Sequence, residues 1–300
     1  MKFNKAKIIV NPASNHGETR KIFDKVKDFF EEKIDFSLEL TEKPKQAIDM
    51  AKKLAGYDLV VAVGGDGTIF EIVNGLALSN NRKTALGIIP MGSGNDLAKT
   101  LRIPKNITSA CDEILNGRAK MIDLGLVNGV YYANSFSVGL DAQVAHTANE
   151  IKDEVKKSGV SLYLTALFKV LSKNYRPFET SIKINEGDFF TQNIVLITAN
   201  NGVSYGGGFK ITPKAQNDDG FLNICLVDEL PAWKVVPRLP FVITGTHEWM
   251  KYIHTFRAKK IILRSEDALP AQLDGELIAS NNFLIELVPR ALKVIVPKEN

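Results

Sequence analysis

Residues 59–63, LVVAV, form an unbroken apolar run that stops on Gly64-Gly65-Asp66-Gly67-Thr68. A strand without polar alternation is buried on both faces, as in a parallel sheet covered by helices. The flanking sequence agrees. Lys7–Val10, Phe36–Leu40 and Leu86–Ile89 read as further short strands. Ile22, Phe23, Val26, Phe29 and Phe30 fall at helical spacing within Glu18–Phe30, and so do Ala47, Ile48, Ala51, Leu54 and Ala55. Pro44 near the start of the second set and Gly56 past its end match helix start and stop signals. A third helix is expected from about Ile69. The alternation βαβαβαβ gives a Rossmann-like, doubly wound parallel α/β domain.

After about Asp123 strands dominate. Val127-Asn128-Gly129-Val130 is a two-residue hairpin signal, and Asn185-Glu186-Gly187-Asp188 reads as another turn. Strand-like runs follow at Thr180–Ile184, Asn193–Ala199, Leu222–Val227, Lys260–Leu263, Phe283–Val288 and Leu292–Val296. One helical stretch, Val160–Leu171, is apolar nearly all round and reads as core or as the wall of a lipid-binding cleft. The expectation is an α/β domain over residues 1–125 and a mostly antiparallel β domain over 126–289. The last strand, near 290–297, would pack back onto the first domain.

Hydrophobic residues make up 45% of the chain, charged residues 24%, and the net charge is +4. That balance suits a core-forming protein and an anionic substrate or lipid surface. No nucleic-acid motif accompanies it. Cys111 and Cys225 have no metal-type spacing and read as buried thiols. His247-Glu248-Trp249-Met250-Lys251 has Lys where a zinc-protease motif needs its second His, and reads as a solvated segment. No run of about 18 apolar residues spans a bilayer, and no signal-peptide pattern opens the chain. The expectation is a cytoplasmic protein that meets the inner membrane from its surface.

Three loops fall where strands of such a sheet end: Asn11–Ser14, Gly64–Thr68 and Pro90–Asp96. Glycine lets backbone N–H groups approach a phosphate. Thr68-x-x-Glu71 and Ser93-x-x-Asp96 have the spacing of capping boxes, so both loops should open helices that favour anions. Asp66 alone would repel phosphate. It makes sense with Mg²⁺ between them, or else as a turn residue satisfying local N–H groups. Walker A, dinucleotide and protein-kinase motifs are absent.

GGDGTIFEIVNGL and IPMGSGNDLAKTL together resemble the diacylglycerol kinase catalytic-domain family, in its bacterial lipid kinase branch. ANSFSVGLDAQV (133–144), NNGVSYGGGFKITPKAQNDDGFLNICLV (200–227) and LDGE (273–276) continue the resemblance in order over nearly the whole chain. It implies a β-sandwich second domain and an active site in the cleft between domains. It also implies ATP contacts at Asn11, Thr41, Gly64, Gly65, Asp66, Gly67 and Thr68, with Gly92, Ser93 and Asn95 near the phosphates. By the same resemblance Asp66 and Asp96 organise Mg²⁺, and Glu276 is the general base toward a lipid hydroxyl. A structural Mg²⁺ would sit on the Asp219 side chain and the carbonyls of Gln216 and Phe221. Two departures stand out: Ser93 occupies a frequent Thr position, and Asn15 a frequent Gly position. ATP and a lipid such as diacylglycerol are the implied partners, nucleic acid is not, and a homodimer stays open. An NAD kinase-like or other small-molecule kinase is the rival reading, and a non-catalytic nucleotide sensor a second.

Overall fold

The computed structural model describes residues 3–14, 19, 22–79, 82–155, 159–173, 175–206 and 208–298, the side chains of 152, 153, 159 and 160 excepted. Asn15 and Gly207, both within motifs quoted above, lie outside these residues, as does the expected helix start at Glu18. The chain forms two compact units, residues 1–123 with 289–300, and residues 124–288.

In the first unit, β1 (Lys5–Val10), β2 (Asp35–Leu40), β3 (Leu59–Gly64) and β4 (Ala85–Pro90) pair in parallel in the order 4-3-1-2. The end of β13 (Glu276–Val296) joins beside β4, with Val294 opposite Leu86. Every residue of β3 and β4 is buried, as their apolar runs require. Helices α1 (Phe23–Glu31), α2 (Gln46–Lys52), α3 (Asp66–Leu78), α4 (Asp96–Thr100) and α5 (Ile107–Asn116) complete the unit. Helix α5 went unread in the sequence, although Ala110, Cys111 and Ile114 bury one face and Asn106 caps it through Ser109 N.

The register fixes where the loops sit. Val10 lies opposite both Leu40 and Val63, and Gly64 opposite Pro90. Four strands therefore end in one row, and Asn11, Thr41, Gly65 and Met91 emerge side by side. The switch in strand order falls between β1 and β3, the position at which open α/β sheets bind ligands.

The chain leaves the first unit within β5 (Arg118–Val127) and returns within β13. Asn128 and Gly129, both at positive φ, make the expected hairpin between β5 and β6 (Val130–Tyr132). Long strands β9 (Phe190–Asn200) and β12 (Lys260–Leu273) are bridged twice by antiparallel pairing, once by β7 (Ser135–Gly139) and once by β8 (Phe178–Ile184). Strands β10 (Leu222–Asp228) and β11 (Ile253–Ala258) extend from β9. This is an antiparallel β-sandwich.

Its helical content exceeds the single stretch expected. Helix α6 (Leu140–Val155) precedes α7 (Gly159–Lys173), and short α8 (Ala232–Val235) and α9 (Leu239–Thr244) flank a 3-10 turn. Helix α6 was missed because its apolar residues are diluted by polar ones from His146 onward. In α7, Ala166, Leu167 and Val170 are buried while Phe168 stays 52% exposed. Among the described residues no helix is long and apolar enough to cross a membrane. Cys111 and Cys225 are buried and unbonded, and burial pushes their thiols up to about 11 and about 12. His247 corrects another expectation: it is buried, with Nε2 3.1 Å from the Ile211 carbonyl, while Trp249 and Lys251 are the exposed residues of that segment.

Candidate functional site

Gly64 ends β3 against Thr68, which folds back from the first turn of α3. A Cβ on Gly64 would stand 2.5 Å from Thr68 Oγ1. That hydroxyl accepts a hydrogen bond from Asn11 Nδ2 at 3.0 Å, and Asn11 Oδ1 accepts one from Ala13 N. The two glycine loops also touch directly: a Cβ on Gly92 would lie 2.7 Å from the Gly65 Cα. Glycine is required here by loop-on-loop packing, before any ligand is considered. Thr41 sits in the same row, its N–H on the Val10 carbonyl, and Ser93 is exposed.

The capping boxes are not formed. Thr68 lies inside α3, and the helix is preceded by Gly65, which has no side chain to cap it. Glu71 instead accepts from Lys45 N (2.9 Å) and Ala47 N (3.0 Å), so it caps the neighbouring α2. Asp66 behaves alike. Its two oxygens accept from Asn95 N (2.7 Å) and Asp96 N (2.8 Å), at the start of α4. Ser93 does not cap α4. Asn95, held at φ 52°, precedes that helix and exchanges two hydrogen bonds with Gly92 through its own side chain. A spacing pattern cannot reveal that a carboxylate prefers a helix thirty residues away.

The consequence is chemical. Both acids of α3 serve other helices, so the first-turn N–H groups of α3 have no side-chain cap and point out at the carboxyl end of the sheet. Such groups, with the helix dipole behind them, bind anions. Beside them, burial and then the Asp96 charge hold the Asp66 carboxyl above its usual range. Gly94 lies between the two acids: a Cβ there would come 2.6 Å from Asp66 Oδ2 and 3.7 Å from Asp96 Oδ2. Lys99 meets Asp96 at 3.2 Å. Paired carboxylates beside an anion site suit Mg²⁺, which takes one or two carboxylates and completes its shell with water and phosphate. Among the described residues no three acidic, His or Cys side chains gather around one point.

In the second unit, LDGE is the β12–β13 hairpin. Leu273 pairs with Glu276 across Asp274 (φ 47°) and Gly275 (φ 94°). The Asp274 carboxylate accepts three backbone N–H groups, from Ala133 (2.7 Å), Asn134 (3.0 Å) and Ser135 (2.8 Å). Gly275 N donates to Gln272 Oε1, Gln272 Nε2 to Ser137 Oγ, and Ser137 Oγ to Asp141. Glu276 projects exposed from the far end of this clamped turn. Asp274, Gln272, Ser137 and Asp141 went unread as site-building residues. Asp274 and Asp141 left a signal, the first inside LDGE and the second as a carboxylate directly after Val138-Gly139-Leu140.

Asp141 borders an apolar cavity of about 140 Å³, lined by residues such as Leu140, Val144, Leu167, Leu196 and Leu239. Burial pushes its carboxyl up, against the hydrogen bond from Ser137 that lowers it. The Asp219 turn is separate. Asp219 accepts from Phe221 N at 3.0 Å and pairs with Arg257 at 3.0 Å, and Gln216 is exposed. A cation there would share Asp219 with a guanidinium.

Residues 5–127 match the family model of the diacylglycerol kinase catalytic domain, and residues 134–296 that of the YegS C-terminal NAD kinase beta sandwich-like domain. The chain is 31% identical to the diacylglycerol kinase of Bacillus subtilis (strain 168) over 98% of its own length and 97% of that protein's. A "probable lipid kinase YegS-like" of Chromohalobacter salexigens is 31% identical over 81% of this chain and 78% of its own. A crystal structure from Bacillus anthracis, of a protein assigned as a diacylglycerol kinase, superposes with a TM-score of 0.84. It is 27% identical and covers 99% of this chain and 96% of that one.

Proposed function

This chain belongs to the diacylglycerol kinase and YegS-like lipid kinase family, and from that premise we propose that it transfers the γ-phosphoryl group of ATP to the hydroxyl of a membrane lipid such as diacylglycerol. The observation that carries the reading is the uncapped first turn of α3 beside the Asp66–Asp96 pair. Its N–H groups, with the Gly92–Asn95 backbone and Ser93, take the phosphates, and Asn11 and Thr41 flank the nucleotide. Asp66 and Asp96 would hold a Mg²⁺ that neutralises charge on the phosphates. Glu276 accepts the proton of the lipid hydroxyl as its oxygen bonds to the γ-phosphorus and ADP departs. The hairpin clamp keeps that carboxylate positioned, which matters because phosphoryl transfer is mostly positioning and electrostatics. Asp219, with the Gln216 and Phe221 carbonyls, would hold a second cation only in exchange for Arg257, and the ion pair is the arrangement expected to prevail.

The apolar cavity favours a greasy acceptor over a dinucleotide, and the acceptor places the protein at a membrane surface. NAD phosphorylation is the competing reading, favoured by the NAD kinase-like sandwich. Purified protein with ATP and Mg²⁺ should add phosphate to diacylglycerol in mixed micelles, read by mass, and leave NAD unchanged. Phosphorylated NAD with untouched lipid would overturn the reading.

A further inference from the structure

The stretch from Pro231 to Tyr252 supplies part of the cavity wall but none of the groups assigned to phosphoryl transfer, and it is built unlike the rest of the sandwich. Helix α8, the turn Val236–Arg238 and α9 read AWKV, VPR and LPFVIT, yet none of their residues is buried. Trp233 is 70% exposed, Trp249 73% and Phe241 40%. Phe241 and Trp249 stack edge to face with centroids 5.8 Å apart. Val235, Leu239 and Val242 meanwhile line the apolar cavity. The segment thus shows apolar groups to the cavity on one side and to the outside on the other. Contiguous exposed apolar surface of this kind marks a binding surface.

The charges point to its partner. Lys234 Nζ lies 5.2 Å from the Trp233 ring centre. Lys251 Nζ, Lys234 Nζ and Arg238 Cζ surround the Tyr252 ring at 4.8, 5.5 and 5.8 Å. Lys251 and Lys234 hold the Tyr252 phenol below its usual range. The nearby acids are already paired, Asp228 with His254 at 2.8 Å and Glu248 with Lys214 at 2.5 Å. Arg238 donates to the Lys234 carbonyl, and none of the three cations has a carboxylate partner among the described residues. Three like charges around one half-buried ring repel one another until an external anion joins them. Exposed tryptophan and a half-buried tyrosine interleaved with lysine and arginine is a composition that settles at the headgroup level of a bilayer. Anionic lipids supply the missing phosphates.

We propose that Pro231–Tyr252 is the face by which this chain seats on an anionic phospholipid bilayer. Trp233, Phe241 and Trp249 enter the boundary between headgroups and acyl chains, and Lys234, Arg238 and Lys251 meet lipid phosphates. The surface stands on its own observations and is tested without nucleotide, so its failure would leave the kinase reading intact.

The test is built into the sequence, because Trp233 and Trp249 are the chain's two tryptophans. Their emission reports this face alone. Unilamellar vesicles of phosphatidylglycerol and phosphatidylcholine in equal parts should shift the emission to the blue, and brominated acyl chains should quench it. Pure phosphatidylcholine vesicles should bind about tenfold more weakly or worse, and Lys234→Glu with Lys251→Glu should cost at least as much. Trp233→Ala with Trp249→Ala should lose sedimentation with vesicles while keeping its circular dichroism. Sedimentation without any emission change would mean that another face docks. Equal binding to both vesicle types would remove the cationic cluster from the role. A blue shift that grows with protein concentration alone would assign the patch to a second copy. Failure to bind either vesicle would also overturn the proposal.

Discussion

Two of the Asp-Gly pairs in the motifs that carry the family resemblance, Asp66-Gly67 and Asp274-Gly275, do different work. Both aspartates give their carboxylates to backbone N–H groups of a distant segment, two for Asp66 and three for Asp274. Asp274 takes three backbone donors from Ala133, Asn134 and Ser135 beside it, and it fixes a turn. Asp66 has donors on one side and Asp96 on the other, so burial and a like charge raise its carboxyl. A carboxylate held in a site that resists its ionisation is a candidate for function, because a cation relieves the strain. The same dipeptide is structural in one unit and poised for a ligand in the other, and the neighbours decide which.

The hairpin half of this comparison makes the largest prediction. If the clamp exists to aim Glu276, then Glu276→Gln should lose about 10²–10⁴ in turnover with unchanged melting temperature and ATP affinity. Near wild-type turnover would leave the clamp with nothing to position. Asp274→Ala should act through stability instead. Three N–H groups lose a charged acceptor, so unfolding free energy should fall by about 3 kcal/mol, measured in urea. An unchanged midpoint would show that the turn holds itself.

Strands β3 and β4 were legible because burial on both faces leaves an unbroken apolar run, as in Leu59–Val63, while half-exposed β2 was legible by its alternation. The glycine loops were legible for a related reason: glycine is informative where loops pack on one another, as Gly65 and Gly92 do. Capping was misread. Thr68 and Glu71 have the right spacing, but Glu71 found its donors on α2, a choice set by tertiary packing that local spacing does not encode. Gln272 and Ser137 were invisible for the same reason, since their hydrogen bond joins residues 135 positions apart. Asp66 reads in the sequence as a charge awaiting a metal or as a turn residue satisfying local N–H groups, and nothing there shows that the N–H groups it satisfies are those of Asn95 and Asp96 at the start of α4.

That double duty predicts a pH signature. The folded state raises the Asp66 carboxyl, so the stability it contributes is full below the ordinary carboxylate pKa and is lost as pH rises through the folded value. Asp66→Asn removes this loss. Relative to wild type, the variant should therefore gain in melting temperature as pH rises from about 4 to about 7, and Mg²⁺ should narrow the difference. A difference independent of pH would mean that burial and the Asp96 charge do not raise the Asp66 carboxyl in the folded protein.

The smallest effect belongs to Asp219, half-buried and already neutralised by Arg257. Asp219→Ala should cost about 1 kcal/mol, and chelation should shift the wild-type melting temperature little. A large chelator effect, absent in the variant, would place a structural cation in that turn.

The contrast between Asp66 and Asp274 rests on one assignment, that the charge of Asp66 faces a metal–phosphate site. Calorimetric titration of ATP, with and without Mg²⁺, into wild type and Asp66→Asn tests it most directly. The account predicts that Mg²⁺ tightens ATP binding to wild type and that the variant keeps metal-free binding but loses the tightening, with transfer severely reduced. An Asp66→Asn protein whose ATP affinity and turnover respond to Mg²⁺ as wild type does would contradict it, and would make Asp66 a capping residue like its counterpart in the hairpin.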